Sequence, residues 1–144
     1  MTIRNATYKD APSIKILLES LGYKSSISIL VNQIEMLFGV NNNELLVCES
    51  HLEVIGFASL HYFPQLAFDG ELVFISYFAV AQPDKNSTVA KTLEEFITAK
   101  SFKRKCDRIQ VHCHDWRTPE HKFYSEQGYQ LYPNFYTKRL VYGE

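Results

Sequence analysis

From Val73 to Phe96 an apolar run passes through a polar turn directly into a helical pattern: VFISYFAV, then AQPDKNST, then VAKTLEEF. With Leu72 in front, the residues Val73, Phe74, Ile75, Tyr77, Phe78, Ala79 and Val80 leave almost no polar position, which suits a strand covered on both faces and therefore central in its sheet. Pro83 and the polar Asp84, Lys85, Asn86 and Ser87 stop that strand, and Asn86 or Ser87 can cap the helix beyond them. From Val89 onward Ala90, Leu93, Phe96 and Ile97 recur at helical spacing, with Lys91, Glu94 and Glu95 expected outward. A helix that begins just off the tip of a central strand aims its unpaired N–H groups and positive dipole end at whatever lies there. Phosphate suits that position. The same segment would serve equally as an ordinary strand-to-helix turn that holds nothing.

The flanking sequence supplies more strands and helices around this junction. Thr2 to Thr7 predicts a first strand, and Asp10 with Pro12 opens a helix whose buried stripe is Ile14, Leu17, Leu18 and Leu21, ended by Gly22. A second helix over Ser28 to Phe38 carries Leu30, Val31, Ile34, Leu37 and Phe38, and the pair with its connecting loop could shape an acceptor pocket. Glu44 to Glu49 and Val54 to Phe63 read as antiparallel strands joined by a tight turn at His51 to Glu53. Gly56 within the second marks a close neighbour or a bend. After a helix over Ser87 to Lys103, a strand over Arg108 to His114 alternates Ile109, Val111 and Cys113 on one face with Gln110, His112 and His114 on the other. Asp115 or Thr118 caps a short helix through Gln127, which Gly128 ends. Two short strands are then expected over Tyr129 to Val141, around Pro133.

A length of 144 residues with 46% hydrophobic composition describes one domain, residues 1–144, with a substantial core. A net charge of −1 offers no electrostatic case for nucleic acid or for an anionic membrane surface. No apolar run approaches membrane-spanning length and no cationic and apolar N-terminal signal is present, so the cytoplasm is the expected location. Cys48, Cys106 and Cys113 are odd in number and lie in or beside strands, the pattern of reduced thiols. His112 and His114 could form two arms of a metal site with Cys106 or Asp115, but no second ligand pair at metal spacing accompanies them, and no metal is expected.

The order strand, two helices, three strands, helix, strand, helix, two strands, ending in HKFYSEQGYQLYPNFYTKRL, resembles the GNAT N-acetyltransferase superfamily across nearly the whole chain. Arg117, His121, Phe123, Tyr124, Gly128, Tyr129, Tyr136, Lys138 and Leu140 fall into the tail pattern of many members, and the tail most resembles the aminoalkylphosphonate N-acetyltransferase group. The resemblance implies an α/β (α+β) fold with a mixed, mostly antiparallel seven-stranded sheet and about four helices. It also implies acetyl-CoA held between splayed fourth and fifth strands, along Phe78, Ala79 and Val80. The pyrophosphate would then lie on the turn of Lys85, Asn86, Ser87, Thr88, Val89 and Ala90. Family members usually carry there an Arg or Gln, two residues, Gly, one residue, and Gly or Ala. Here Lys85 stands for the first, Thr88 for the glycine and Ala90 for the last, so Thr88 is expected to crowd the cradle.

The resemblance further implies that Tyr124 donates a proton to the leaving thiolate. Some relatives place a Glu in the middle of the fourth strand where this chain has Phe74. Glu71, His61 and Ser76 stand as substitutes for the general base, acting directly or through a water. Two functions are compatible with these residues. One is transfer of an acetyl group to the primary amine of a small molecule. The other is a catalytically silent domain of the same fold serving as a ligand-binding or interaction module. The intact tail favours the first and the altered turn the second. The resemblance is compatible with a homodimer.

Overall fold

A computed structural model of the protein describes residues 1–113, 117–132 and 135–143. These fall into two compact units, Met1–His112 and Cys113–Glu144.

The first unit is a five-stranded sheet in the order β1-β2-β3-β4-β5, formed by β1 (Thr2–Asn5), β2 (Asn43–Ser50), β3 (Glu53–Phe63), β4 (Leu72–Val80) and β5 (Arg108–Val111). Neighbours are antiparallel except β4 and β5, which are parallel and joined by the crossover helix α3 (Ser87–Lys103). The β2–β3 hairpin closes through His51 and Leu52, both at positive φ (52° and 66°), the backbone twist that two-residue hairpin turns require. Gly56 is opposite Val80, and a Cβ there would lie 3.1 Å from the valine side chain and 3.3 Å from the Ala79 carbonyl, which is the close neighbour its position suggests.

Each face of the sheet carries its own core. On one face α1 (Ala11–Ser20) and α2 (Ile27–Gly39) bury Ile14, Leu17, Leu18, Leu30 and Ile34 against Leu45, Val47, Phe57 and Ala79. On the other, Leu93 and Ile97 of α3 sit among Leu46, Cys48, Ala58, Leu60, Val73 and Ile75. β4 therefore contributes to both cores, as its almost wholly apolar sequence requires.

Several local expectations change. Asp10 stands at the N-cap of α1 but its carboxylate does not cap that helix. It turns back to accept from the Thr7 amide at 2.8 Å and from both Arg4 terminal nitrogens at 2.9 Å, so the Arg4 guanidinium holds its pKa below the ordinary carboxylate range. Ser26 caps α2 by accepting from the Ile29 amide. Glu94, expected outward, is buried, with one carboxylate oxygen accepting from the Thr98 hydroxyl at 2.6 Å. It lies on the flank of the apolar stripe, next to Leu93 and one turn after Ala90, where the helix still faces the protein.

The second unit holds α4 (Thr118–Glu126), closed by the Tyr129 amide donating to the Tyr124 carbonyl and the Gly128 amide to that of Ser125, with Gly128 at φ 91°. That pairing is the Schellman helix ending, and it needs a left-handed residue after the cap. Among the described residues no strand follows β5, so five strands stand where seven are expected; Pro133 and Asn134, between the two anticipated tail strands, lie outside the described residues. A strand exists only where a second one completes its ladder, and the alternation of Tyr136, Lys138 and Leu140 carries no information about that partner. His114, Asp115 and Trp116 also lie outside the described residues.

Candidate active site

The ladder between β4 and β5 is short. Leu72 pairs with Arg108, Val73 with Ile109, Phe74 with Gln110 and Ile75 with Val111, where β5 ends. The sequence predicts β5 as far as His114, but the strand stops while β4 continues through Ser76, Tyr77, Phe78, Ala79 and Val80. The parting coincides with a bulge. Ser59 is opposite Tyr77 and Leu60 opposite Ile75, so Ser76 is the extra residue on β4. A bulge bends its strand and increases its twist, and the pairing of β4 with β5 ends at Ile75, the residue before it.

The turn beyond that tip leads into α3. The Lys85 and Asn86 amides donate to the Gln82 carbonyl, at 2.9 and 3.1 Å, and the Ala90 amide to the Asn86 carbonyl at 3.1 Å. The Asn86 side chain, at the N-cap position, donates to the Ala81 carbonyl instead of capping the helix. Among the described residues no hydrogen bond uses the amides of Ser87, Thr88 and Val89, and the first turn of α3 contains no acidic residue. Those three donors and the dipole behind them form an anion-binding end.

The expected crowding by Thr88 takes a milder form. In this turn positive φ falls on Gln82 (45°) and not on Thr88, so the backbone here does not require glycine at that position. Ser87 and Thr88 are exposed, whereas Val89 packs against the α3-side core and Ala90 is buried. Of the nine residues anticipated for the cofactor, Ser87, Thr88 and Val89 offer backbone donors. Lys85 offers an exposed side chain, and Phe78, Ala79 and Val80 form the part of β4 beyond β5. Asn86 and Ala90 have their amides committed internally. The residues present therefore fit a phosphate-bearing ligand.

Around the bulge, three polar side chains from three strands form a chain on the α1/α2 face. His61 Nδ1 lies 2.8 Å from Asn43 Oδ1, and His61 Nε2 lies 2.7 Å from Ser76 Oγ. Asn43 Nδ2 donates to the Leu37 carbonyl at 3.4 Å, which turns Oδ1 toward the imidazole. Burial lowers the pKa of His61 below its ordinary 6.5, because a half-buried imidazolium loses solvation. The Phe74 ring, opposite His61 across the ladder, lies 6.3 Å from the imidazole and 5.0 Å from the ring of His112. Tyr23 meets Tyr77 edge to face at 5.3 Å, bringing the α1–α2 loop onto the same face. Gly22, at φ 97°, makes the turn that releases Tyr23 from α1, and the Tyr23 amide donates to the Leu18 carbonyl at 3.1 Å.

Glu71 lies elsewhere. It precedes β4 at the closed end of the β4–β5 ladder, and its carboxylate accepts from Arg104 Nε at 2.7 Å. The hydrogen bond from Arg104 pulls its pKa below the usual range, which suits an ion pair and weakens a base. Arg104 also stacks on the Tyr62 ring at 4.1 Å, and Tyr62 donates to Glu44 at 2.6 Å. This polar group belongs to the α3 side of the sheet, where a shallow pocket is lined by Glu44, Tyr62, Phe96, Lys100, Lys103 and Arg104.

Tyr124 belongs to the second unit. It is buried, with ring centroids 5.3 Å from Phe123 and 5.4 Å from Tyr129, both edge to face. Cys48, Cys106 and Cys113 are free, and burial pushes the Cys48 thiol up to about 11, which makes it inert. Among the described residues no group of three His, Cys, Asp or Glu side chains is placed to hold a metal ion, and no helix is long and apolar enough to cross a membrane.

Three solved structures illustrate how widely this architecture recurs. A transcriptional regulator from Bacillus halodurans superposes with a TM-score of 0.86 at 18% identity, over 96% of this chain and 99% of that one. A GNAT family acetyltransferase from Staphylococcus aureus gives 0.79 at 17% identity, over 96% and 98%. A ribosomal-protein-alanine N-acetyltransferase from Brucella melitensis biovar Abortus gives 0.77 at 15% identity, over 96% and 98%. At these identities the likeness is one of fold. Comparison with curated proteins finds no match. The model of the acetyltransferase (GNAT) family matches residues 14–129, across both units and most of the chain, and the protein belongs to that family of acyl-transferring proteins.

Proposed function

We propose that the protein is an acetyl-CoA-dependent N-acetyltransferase acting on the primary amine of a small molecule in the cytoplasm. The family generally uses acetyl-CoA or another acyl-CoA as donor. The observation that carries the reading is the end of β5 at Val111, opposite Ile75, with the tip of β4 running on toward three undonated amides at the start of α3.

In this reading the Ser87, Thr88 and Val89 amides hold the pyrophosphate, with Lys85 adding charge, and the edge of Phe78 to Val80 receives the arm that bears the thioester. When bound, acetyl-CoA supplies an activated acyl carbon. His61, neutral at physiological pH because its pKa is lowered, takes the place of Glu71 as the base for the acceptor amine. Tyr124 keeps the role of proton donor to the leaving thiolate, a role that rests on the likeness of the tail to the family pattern.

The first test is thermal. Acetyl-CoA at about one hundred times its Kd is expected to stabilise the fold by about 2.7 kcal/mol, or roughly 5–10 °C for a chain of this size. Absence of any shift at millimolar ligand would leave a silent domain of the same fold. Given a shift, Tyr124→Phe is expected to slow CoA release by about tenfold or more without weakening the acetyl-CoA shift. An unchanged rate would remove Tyr124 from the chemistry.

A further inference from the structure

As the base, His61 must take a proton from the amine, yet both of its ring nitrogens are already engaged. Nδ1 faces Asn43 Oδ1 at 2.8 Å, and Nε2 faces Ser76 Oγ at 2.7 Å. A neutral imidazole carries one N–H. Asn43 Oδ1 can only accept, and its amide nitrogen is turned to the Leu37 carbonyl, so the proton belongs on Nδ1. Nε2 is then a bare acceptor, and the Ser76 hydroxyl donates to it. The alternative partner of that hydroxyl, the Ser59 carbonyl, lies farther away at 3.3 Å.

Ser76 is also the residue that the bulge adds to β4, at the point where the strand parts from β5. Strand alternation carries Asn43, His61 and Phe74 on one face of three neighbouring strands, and Ser76, two residues after Phe74, reaches His61 on that same face.

We infer that Asn43, His61 and Ser76 form a proton relay in which the Ser76 hydroxyl is the group that meets the acceptor amine, His61 acts through it, and Asn43 sets the tautomer. This rests on the N-acetyltransferase reading. In the balanced step, the amine nitrogen bonds to the acetyl carbonyl carbon and passes its proton to Ser76 Oγ, while the Ser76 proton moves to His61 Nε2. The carbon–sulfur bond breaks with its electron pair on sulfur, and the thiolate takes up a proton. Ser76 leaves the step as a hydroxyl, His61 is regenerated when the imidazolium returns its proton to solvent, and no acyl-serine forms.

The groups around His61 suit a base held neutral. Burial alone lowers its pKa. Asn43 and Ser76 are uncharged, Phe74 is apolar, and the titratable His112 packs edge to face with the Phe74 ring at 5.0 Å.

The test combines turnover with titration. CoA release is followed with acetyl-CoA and a panel of phenethylamine, spermidine and 2-aminoethylphosphonate. Ser76→Ala is expected to lower kcat on the reactive amine by about 10- to 100-fold while the acetyl-CoA thermal shift persists. Asn43→Asp places a carboxylate against Nδ1 and is expected to move the acid limb of the pH profile to higher pH, which a merely structural residue would not do. NMR titration of His61 needs no acceptor and should show the Nδ1–H tautomer, with a midpoint that rises in Asn43→Asp. Full activity in Ser76→Ala, an acetylated Ser76 by mass spectrometry, an Nε2–H tautomer, or a midpoint unmoved by Asn43→Asp would each overturn the relay while the acetyltransferase reading stands. A panel that stays silent despite an acetyl-CoA shift removes the catalytic role, and loss of the shift itself removes the reading beneath it.

Discussion

His61→Ala should lower kcat/KM for amine acetylation by about 10²-fold or more, the usual contribution of a positioned base. It should leave acetyl-CoA stabilisation intact, since the amides of Ser87, Thr88 and Val89 are on a different element. The pH profile gives the sharper readout. Burial lowers the His61 pKa below 6.5, so the imidazole is mostly neutral at pH 7 and able to accept a proton. As pH falls through that lowered value the imidazole charges and the rate drops. The parent protein should therefore show an acid limb with a midpoint under 6.5, in addition to the titration of the acceptor amine. The variant should retain only the amine's titration. A variant with the same limb as the parent would place the base elsewhere.

Leu93→Ala should destabilise the fold by about 3 kcal/mol, within the range found when a fully enclosed leucine is truncated. Leu93 is wholly buried among Leu46, Leu60, Ile75 and Ile97, on the side of α3 that faces the sheet. A domain of this kind has roughly 5–15 kcal/mol in total, so the loss is a large share. Urea unfolding should show a lower midpoint with the slope retained. Lys91→Ala, on an exposed position of the same helix, should change stability by no more than about 0.5 kcal/mol. Equal effects at the two positions would mean that α3 is not docked through its apolar stripe. The consequence reaches the site because the same docking aims the first turn of α3 at the end of β4.

Much of this architecture is legible along the chain. The helix expected over Ser87 to Lys103 is α3 to the residue, and the alternation over Arg108 to Val111 holds, with Ile109 and Val111 against the α3-side core and His112 beside Phe74 on the other face. The β2–β3 hairpin and the helix endings at Gly22 and Gly128 arise from turn chemistry within a few residues. Glu71 is the residue whose surroundings the sequence describes least well. Its neighbours along the chain say only that it opens a strand, whereas its partner Arg104 is 33 residues away at the end of α3. Glu94 departs from expectation for a related reason. Helical spacing divides a helix into faces, but how wide a face is covered depends on what packs over it.

The relay marks the boundary most clearly. Asn43, His61 and Ser76 come from three strands, 18 and 15 residues apart along the chain, and no spacing rule links them. The sequence by itself determined the helices, the first five strands and most of their inward faces, because periodicity, capping and turn residues act within a few residues of one another. Only the tertiary structure decided where the β4–β5 ladder ends, that Ser76 is the inserted residue, and which carboxylate is spent on an arginine. Those are properties of pairs of strands and helices, set by register and by which side chains meet once both cores have closed around β4.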